Sequence, residues 1–170
     1  MTQNLITQER LKSLLMYNAD TGDFLWRVSR GRVKAGSKAG STNGTDYVQL
    51  RLDGYNYKAH RLAWLYVYGE WPPAEIDHIN RVRCDNRISN LRSVTRAQNH
   101  QNRNKPKHNT SGYVGVSFHR RSGCWRADIK INGKQRALGL YDTKQEAVQA
   151  RRAAELNTHP YRTAYADAHL

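Results

Sequence analysis

Apolar positions along this chain recur in short stretches of differing period. Leu11, Leu14 and Leu15 share one helical face behind Thr7, a residue that can cap a helix, so the spacing predicts a short amphipathic helix over Thr7–Met16 whose task is packing. After Asp20, Thr21 and Gly22 the pattern changes to strand and turn signals, with Phe24, Leu25 and Trp26 followed by a Gly-rich basic run, Ser29 to Gly44, that reads as a loop or a phosphate contact. Tyr47 to Leu52 alternates, Asp53-Gly54 marks a two-residue hairpin, and Tyr55 to Ala59 returns as the partner strand. His60 to Tyr68 is aromatic and aliphatic throughout and closes at Gly69 and Pro72-Pro73, the marks of a short, largely buried helix.

From Glu75 the elements are shorter. Ile76 and Ile79 bracket Asp77 and His78 at the end of a strand, Cys84 to Asn86 falls in a polar loop, and Thr95 with Gln98 three residues on can cap a new helix, giving strand, loop, strand, helix. The run Arg103 to Gly112 is polar, basic and broken by Pro106, and reads as the boundary between a domain over 1–104 and another over 111–170, with 105–110 as linker. Beyond it, Tyr113 to Phe118, Cys124 to Ile131 and Gln135 to Tyr141 predict three strands with turns at Ser122-Gly123 and Asn132-Gly133. Thr143 and Glu146 then form a capping box for a helix that turns Ala147, Ala150 and Ala154 inward. The expected class is α+β: a helix and hairpin leading into a β-loop-β-α core, then a small three-stranded antiparallel sheet packed on one helix.

Charge narrows the partners. Lys and Arg number 28 against 14 acidic residues, a formal +14, which favours a polyanion such as DNA, RNA or an anionic membrane surface. No run approaches the ~20 apolar residues that span a bilayer, and Met1 to Glu9 lacks a secretory pattern, so the expectation is a soluble, cytoplasmic protein with no membrane partner. Cys84 and Cys124 stand far apart and outside any C-x-x-C pair, which argues for reduced thiols and against a zinc ribbon or disulfide framework.

The segment from Glu75 to Arg103 carries the chemistry. On a β-loop-β-α frame Asp77 projects from the first strand and Asn99 from the first turns of the helix, so their oxygens can converge on one hard cation. Mg2+ (or Mn2+) suits such a site, since Mg2+ takes few protein oxygens and keeps waters that a phosphate can replace. His78 points to the other face of the strand and stands beside the cation, where a neutral imidazole can take a proton from water. An Asp-His pair alone is more often a surface or hydrogen-bonded structural pair; the Asn90 and Asn99 spacing in a basic chain turns the reading to catalysis. His60, ahead of an apolar helix, reads as structural, with a ring that can orient Asp77 or a phosphate.

These residues resemble the HNH, or ββα-metal, endonucleases, in the branch found in phage and intron-encoded homing enzymes. The matching stretches are Lys58 to Trp64 with His60-Arg61, Ile76-Asp77-His78-Ile79-Asn80, Asp85-Asn86-Arg87, Asn90-Leu91-Arg92 and Gln98-Asn99, over roughly Phe24 to Asn104. The resemblance implies metal-dependent phosphodiester cleavage; the expected partner is double-stranded DNA, nicked or cut through both strands, and a monomer on DNA is one of the states left open. The resemblance implies Asp77 and Asn99 as metal ligands, His78 as general base and Asn90 as the residue tying the loop to the base. The third family letter is often His; by spacing it is Asn99 here, with His100 next door, and both stay open as the residue that completes the site.

In the C-terminal module, alternation sends Trp125, Ala127, Ile129 and Ile131 to one face and Arg126, Asp128 and Lys130 to the other, where Ser117, His119 and Arg121 from the first strand and Gln135 from the third join them. Such a sheet can enter the major groove, Arg reading guanine and Gln adenine while Lys neutralises phosphate, with Arg103, Lys105 and Lys107 of the linker adding backbone contacts. A merely soluble charged face is the plain alternative. Tyr113 to Val116, Trp125 to Ala127, Leu138-Gly139 and the Ala-rich helix resemble the plant ethylene-response-factor DNA-binding domain, over about Ser111 to Asn157, although that domain carries more Arg on its reading face. The competing functions are a non-catalytic sequence-specific DNA-binding regulator, against which the joint presence of Asp77, His78 and Asn99 weighs, and an RNA-binding protein, which lacks the expected aromatic stacking platform.

Overall fold

The computed structural model describes residues 5–42, 44, 46–102 and 108–161. It is a mixed α+β chain that divides into two compact units, Met1–Asn99 and His100–Leu170. In the first, α1 (Gln8–Leu14) is capped by the Thr7 side chain, which accepts from the Arg10 amide, and buries Leu11 and Leu14. The helix stops before the expected Met16. Leu15 is extended at φ −131 and ψ 150 and opens β1 (Leu15–Tyr17), a strand that keeps its side chain in the core. β1 pairs antiparallel with β2 (Phe24–Trp26) and β2 with β3 (Lys38–Ala39), so the Gly-rich run contributes a sheet edge.

The hairpin forms as β4 (Gln49–Leu52) and β5 (Tyr55–Lys58) around Asp53 at φ 48 and Gly54 at φ 89, the left-handed pair that a type I′ turn requires. α2 (Ala59–Tyr68) follows at once and ends at Gly69, φ 84, whose amide returns to the Leu65 carbonyl. β6 (Glu75–His78) and β7 (Leu91–Val94) then pair antiparallel, joined by a loop that closes in a 3-10 turn at Ile88–Asn90. α3 (Arg96–Gln101) completes the ββα unit, with the Thr95 amide donating to Gln98 Oε1 at 2.8 Å and the Gln98 amide to Thr95 Oγ1 at 3.3 Å. Leu11, Leu15, Phe24, Leu50, Leu52, Leu62, Ile76 and Leu91 form one core, so the N-terminal helix and hairpin are the wall that braces β6 and β7. Each buried leucine contributes about 1.5–3 kcal/mol.

One brace is a close approach of backbones. A Cβ on Gly22, φ +76, would lie 2.4 Å from the Arg87 amide nitrogen and 2.6 Å from the Asn86 carbonyl carbon, and the Tyr17 hydroxyl donates to the Asn86 carbonyl at 2.7 Å. Gly22→Ala is therefore expected to lower stability by about 1–3 kcal/mol through a strained left-handed residue and a displaced loop. A melting curve showing an unchanged midpoint would refute this account of the contact.

In the second unit β8 (Val116–His119), β9 (Cys124–Ile131) and β10 (Lys134–Tyr141) form an antiparallel sheet with β9 central, covered by α4 (Lys144–Thr158) behind the Thr143–Glu146 capping box. Val116, Ala127, Ala147 and Val148 make its core with Trp125 and Tyr141. The inner face of α4 is less alanine-based than expected. Ala150 and Ala154 are half-buried, while Arg151 and Glu155 are buried as an ion pair at 2.7 Å. Arg151 also donates to the Asp128 carbonyl, so a strand acceptor and a carboxylate together offset the burial of its charge. Arg103, Lys105 and Lys107, read as linker contacts, lie outside the described residues. Asn109 belongs structurally to the sheet unit, donating to the Tyr113 carbonyl and accepting from Gly112 and Ser111.

Candidate active site

β6 sorts its side chains by strand alternation. Glu75 and Asp77 share one face and His78 takes the other. Antiparallel register places Arg92 of β7 opposite Asp77, and its Nε and Nη2 both donate to Asp77 Oδ2, at 2.8 and 2.7 Å. Asn99, on α3, donates through Nδ2 to Glu75 Oε2 at 2.6 Å. Asn99 therefore stands over the strand face that carries Asp77, although the contacts seen join Asn99 to Glu75 and Asp77 to Arg92 rather than Asp77 to Asn99. His100 is exposed on the same helix.

His78 is 4% exposed and faces a polar-aromatic recess. Its Nε2 lies 3.3 Å from Asn86 Oδ1, and Asn86 Nδ2 donates to the Cys84 carbonyl at 3.2 Å. The Cys84 contact turns the Asn86 oxygen toward the ring, an arrangement that favours the tautomer protonated on Nε2. The His60 ring stands edge-on to His78 at a centroid distance of 5.1 Å, with Tyr47 packed on both at 5.3 and 6.0 Å. Burial holds the His78 pKa below the ordinary imidazole value, opposed in part by the Asn86 contact and by the charges of Asp77 and Asp85. His60 is pushed down to about 3, by burial first and then by His78, Lys58 and Arg61. Both rings are neutral near pH 7, the state a general base needs.

Asn90 holds the loop. Its Nδ2 donates to Asn80 Oδ1 at 2.9 Å and to the Asp85 carbonyl at 2.8 Å, while its Oδ1 accepts from the Asn80 amide at 3.0 Å. Its backbone carbonyl accepts from Ile79 at 2.9 Å, just past His78. Asn90 thus holds the loop that presents Asn86 to His78.

Among the described residues no group of three or more His, Cys, Asp or Glu side chains is placed to hold a metal. The oxygen donors nonetheless fit a hard cation that keeps most of its waters. Asp77 is a carboxylate only 7% exposed that the fold already matches with a positive charge, and Glu75 and the Asn99 amide stand on its side of β6. Asp77 and Asn99 are the residues that would hold such an ion, with Glu75 beside them.

On the C-terminal sheet, register places Ser117 beside Arg126 and Gln135 beside Lys130 on the face away from α4. Two expectations change there. Arg121 lies in the turn between β8 and β9 rather than on the strand, because the chain reverses from His119, whose carbonyl accepts from Gly123 at 3.0 Å. His119 is tied to that turn by a 2.7 Å contact between Nδ1 and Ser122 Oγ. Arg126 is paired with Asp128 on its own strand at 2.8 Å, and Leu140 opposite Arg126 is 53% exposed on the same face.

Sequence reasoning assigned no role to Glu75, Tyr47 or Arg92, and quoted Asn86 only within a motif. Pairing of the two four-residue strands on either side of the loop sets Asp77 opposite Arg92. The Tyr47 contact comes from chain distant in sequence and had no local signal.

A strand carrying an acid and a neutral imidazole, a loop pinned by asparagine and a helix returning over the acid are the parts of an HNH nuclease domain, and residues 57–101 match the HNH endonuclease family. The chain is 35% identical over 83 residues to Protein 3.8 of Escherichia phage T7, an alignment covering 46% of this chain and 69% of that protein. It belongs to one family with that phage protein and carries an HNH endonuclease domain, which assigns it a nuclease function with DNA as substrate. No solved structure matches.

Proposed function

We propose that this protein is a divalent-metal-dependent, site-preferring endonuclease of the phage homing type that hydrolyses phosphodiester bonds in double-stranded DNA. The observation that carries the proposal is the pairing, on adjacent residues of β6, of a buried carboxylate already matched with a cation and a buried imidazole whose Nε2 is held by Asn86. His78 Nδ1 takes the proton from the attacking water while Asn86 holds the other ring nitrogen, and Asn90 keeps the loop that presents Asn86 in place. The new P–O bond forms as the bond to the 3′ oxygen breaks. A bound Mg2+ or Mn2+ held by Asp77 and Asn99 would stabilise charge on the phosphate and on the leaving oxygen. One His78 centre serves one strand at a time, so a monomer nicks first and a double-strand cut needs a second event.

The second unit is proposed as the sequence reader, an ethylene-response-factor-like sheet that presents Ser117, Lys130 and Gln135, with Arg126 available once DNA competes with Asp128. Its exposed polar face and the chain's excess of basic residues support this reading. The test is supercoiled plasmid incubated with the protein. Nicked circles are expected first with Mg2+ or Mn2+, none with chelator, and reduced preference over unrelated competitor DNA for a Lys130→Ala, Gln135→Ala double variant. Cleavage in chelator, or restoration by Zn2+ alone, would overturn the metal reading; DNA binding without any cleavage would leave the regulator in its place.

A further inference from the structure

We propose that Arg92 is the resident counter-cation of the metal site: in the DNA-free protein its guanidinium occupies Asp77 and keeps a divalent cation out, and DNA phosphate draws it away, so tight cation binding requires DNA. This rests on Asp77 being a metal ligand, as read above. The contact is specific. Two guanidinium nitrogens converge on the single oxygen Oδ2, at 2.7 and 2.8 Å, with the Arg92 side chain 20% and that of Asp77 8% exposed. Strand register holds the pair opposite each other, so the contact is built into the β6–β7 hairpin.

Three physical points turn this contact into a coupling device. A buried carboxylate needs a countercharge, and in the free protein Arg92 supplies it. A divalent ion arriving on the same carboxylate meets that charge at close range and is repelled, and an arginine cannot leave by losing its proton. Another anion favours its exit, and its planar fork matches a phosphate as well as it matches a carboxylate. Phosphate contact by Arg92 thus frees Asp77 for the cation, and by linkage the cation strengthens DNA binding by the same factor. A nuclease built this way loads its metal on the substrate and not in free solution.

The test is Mn2+ binding to the full chain without DNA, followed by the paramagnetic resonance of free Mn2+, for wild type, Arg92→Gln and Arg92→Lys. Arg92→Gln is expected to bind Mn2+ about tenfold or more tightly than wild type, whereas Arg92→Lys keeps the charge and stays weak. A short duplex with a non-hydrolysable linkage, its own Mn2+ uptake subtracted, should tighten Mn2+ binding to wild type and leave Arg92→Gln nearly unchanged. Circular dichroism checks that the variants fold, and the duplex effect on wild type alone still decides if Arg92→Gln does not. Equal affinities of wild type and Arg92→Gln, or a wild-type affinity indifferent to the duplex, would overturn the proposal. Adding Asp77→Asn to Arg92→Gln separates the two readings: Mn2+ binding that survives there removes Asp77 as a ligand, whereas binding lost there with no Arg92 effect removes Arg92 alone.

Discussion

Asp77→Ala and His78→Ala each lower the cleavage rate by at least about a hundredfold, and His78→Ala leaves duplex affinity, measured by fluorescence anisotropy at fixed salt, within a few-fold of wild type. General-base catalysis contributes about 10²–10⁴, and in the proposed roles both side chains act where charge and protons move in the transition state rather than along the DNA backbone. His78 is buried against Asn86, His60 and Tyr47, so its loss removes the base and leaves the loop bonds of Asn90 in place. Because burial lowers the His78 pKa from 6.5, the rate rises out of acid with its midpoint below that value. His100→Ala, on an exposed side chain, retains the wild-type rate. Wild-type cleavage by either the Asp77 or the His78 variant would show that the chemistry lies elsewhere.

The second large effect is on stability against pH. His60 is buried and held neutral down to about 3, whereas in the unfolded chain it takes up a proton near 6.5. Its folded-state pKa is depressed, so its contribution is fully present above pH 6.5 and is lost as pH falls from there toward 3. Each pH unit in that window costs about 1.4 kcal/mol per such group. The groups facing it are the His78 and Tyr47 rings with the cations of Lys58 and Arg61, a set with no carboxylate to pair with an imidazolium. His60→Phe keeps an aromatic ring, and Nδ1 makes no hydrogen bond that the substitution would break. Urea unfolding at pH 7.5, 5.5 and 4.5 is expected to show the variant losing less stability on acidification than wild type, by the equivalent of one proton. Parallel losses in the two proteins would show that His60 titrates normally.

Local elements were readable because their causes lie within a few residues. The Thr7, Thr95 and Thr143 caps, the Asp53-Gly54 turn, the Gly69 stop and the alternation of β9 each appear where the pattern places them. The adjacency of Asp77 and His78 was readable too, since strand alternation alone puts consecutive residues on opposite faces. Where the reading slipped, long-range pairing decided: Leu15 leaves its helix to pair with Trp26, and the Ser29–Gly44 run supplies an edge to β2.

The sequence by itself determined the class of fold, the order of elements, the basic character and which residues are candidates for acid-base and metal chemistry, because periodicity, capping and charge are properties of short stretches. Only the tertiary structure decided what each of those residues touches. Arg92 on Asp77, Glu75 on Asn99, Asn86 on His78, the Tyr47 and His60 rings packed at the base, and the buried Arg151–Glu155 pair beneath Asp128 arise from strand register and from the packing of segments distant in the chain. The energy of a buried charge or imidazole depends on those neighbours and on exclusion of water, neither of which a local pattern specifies.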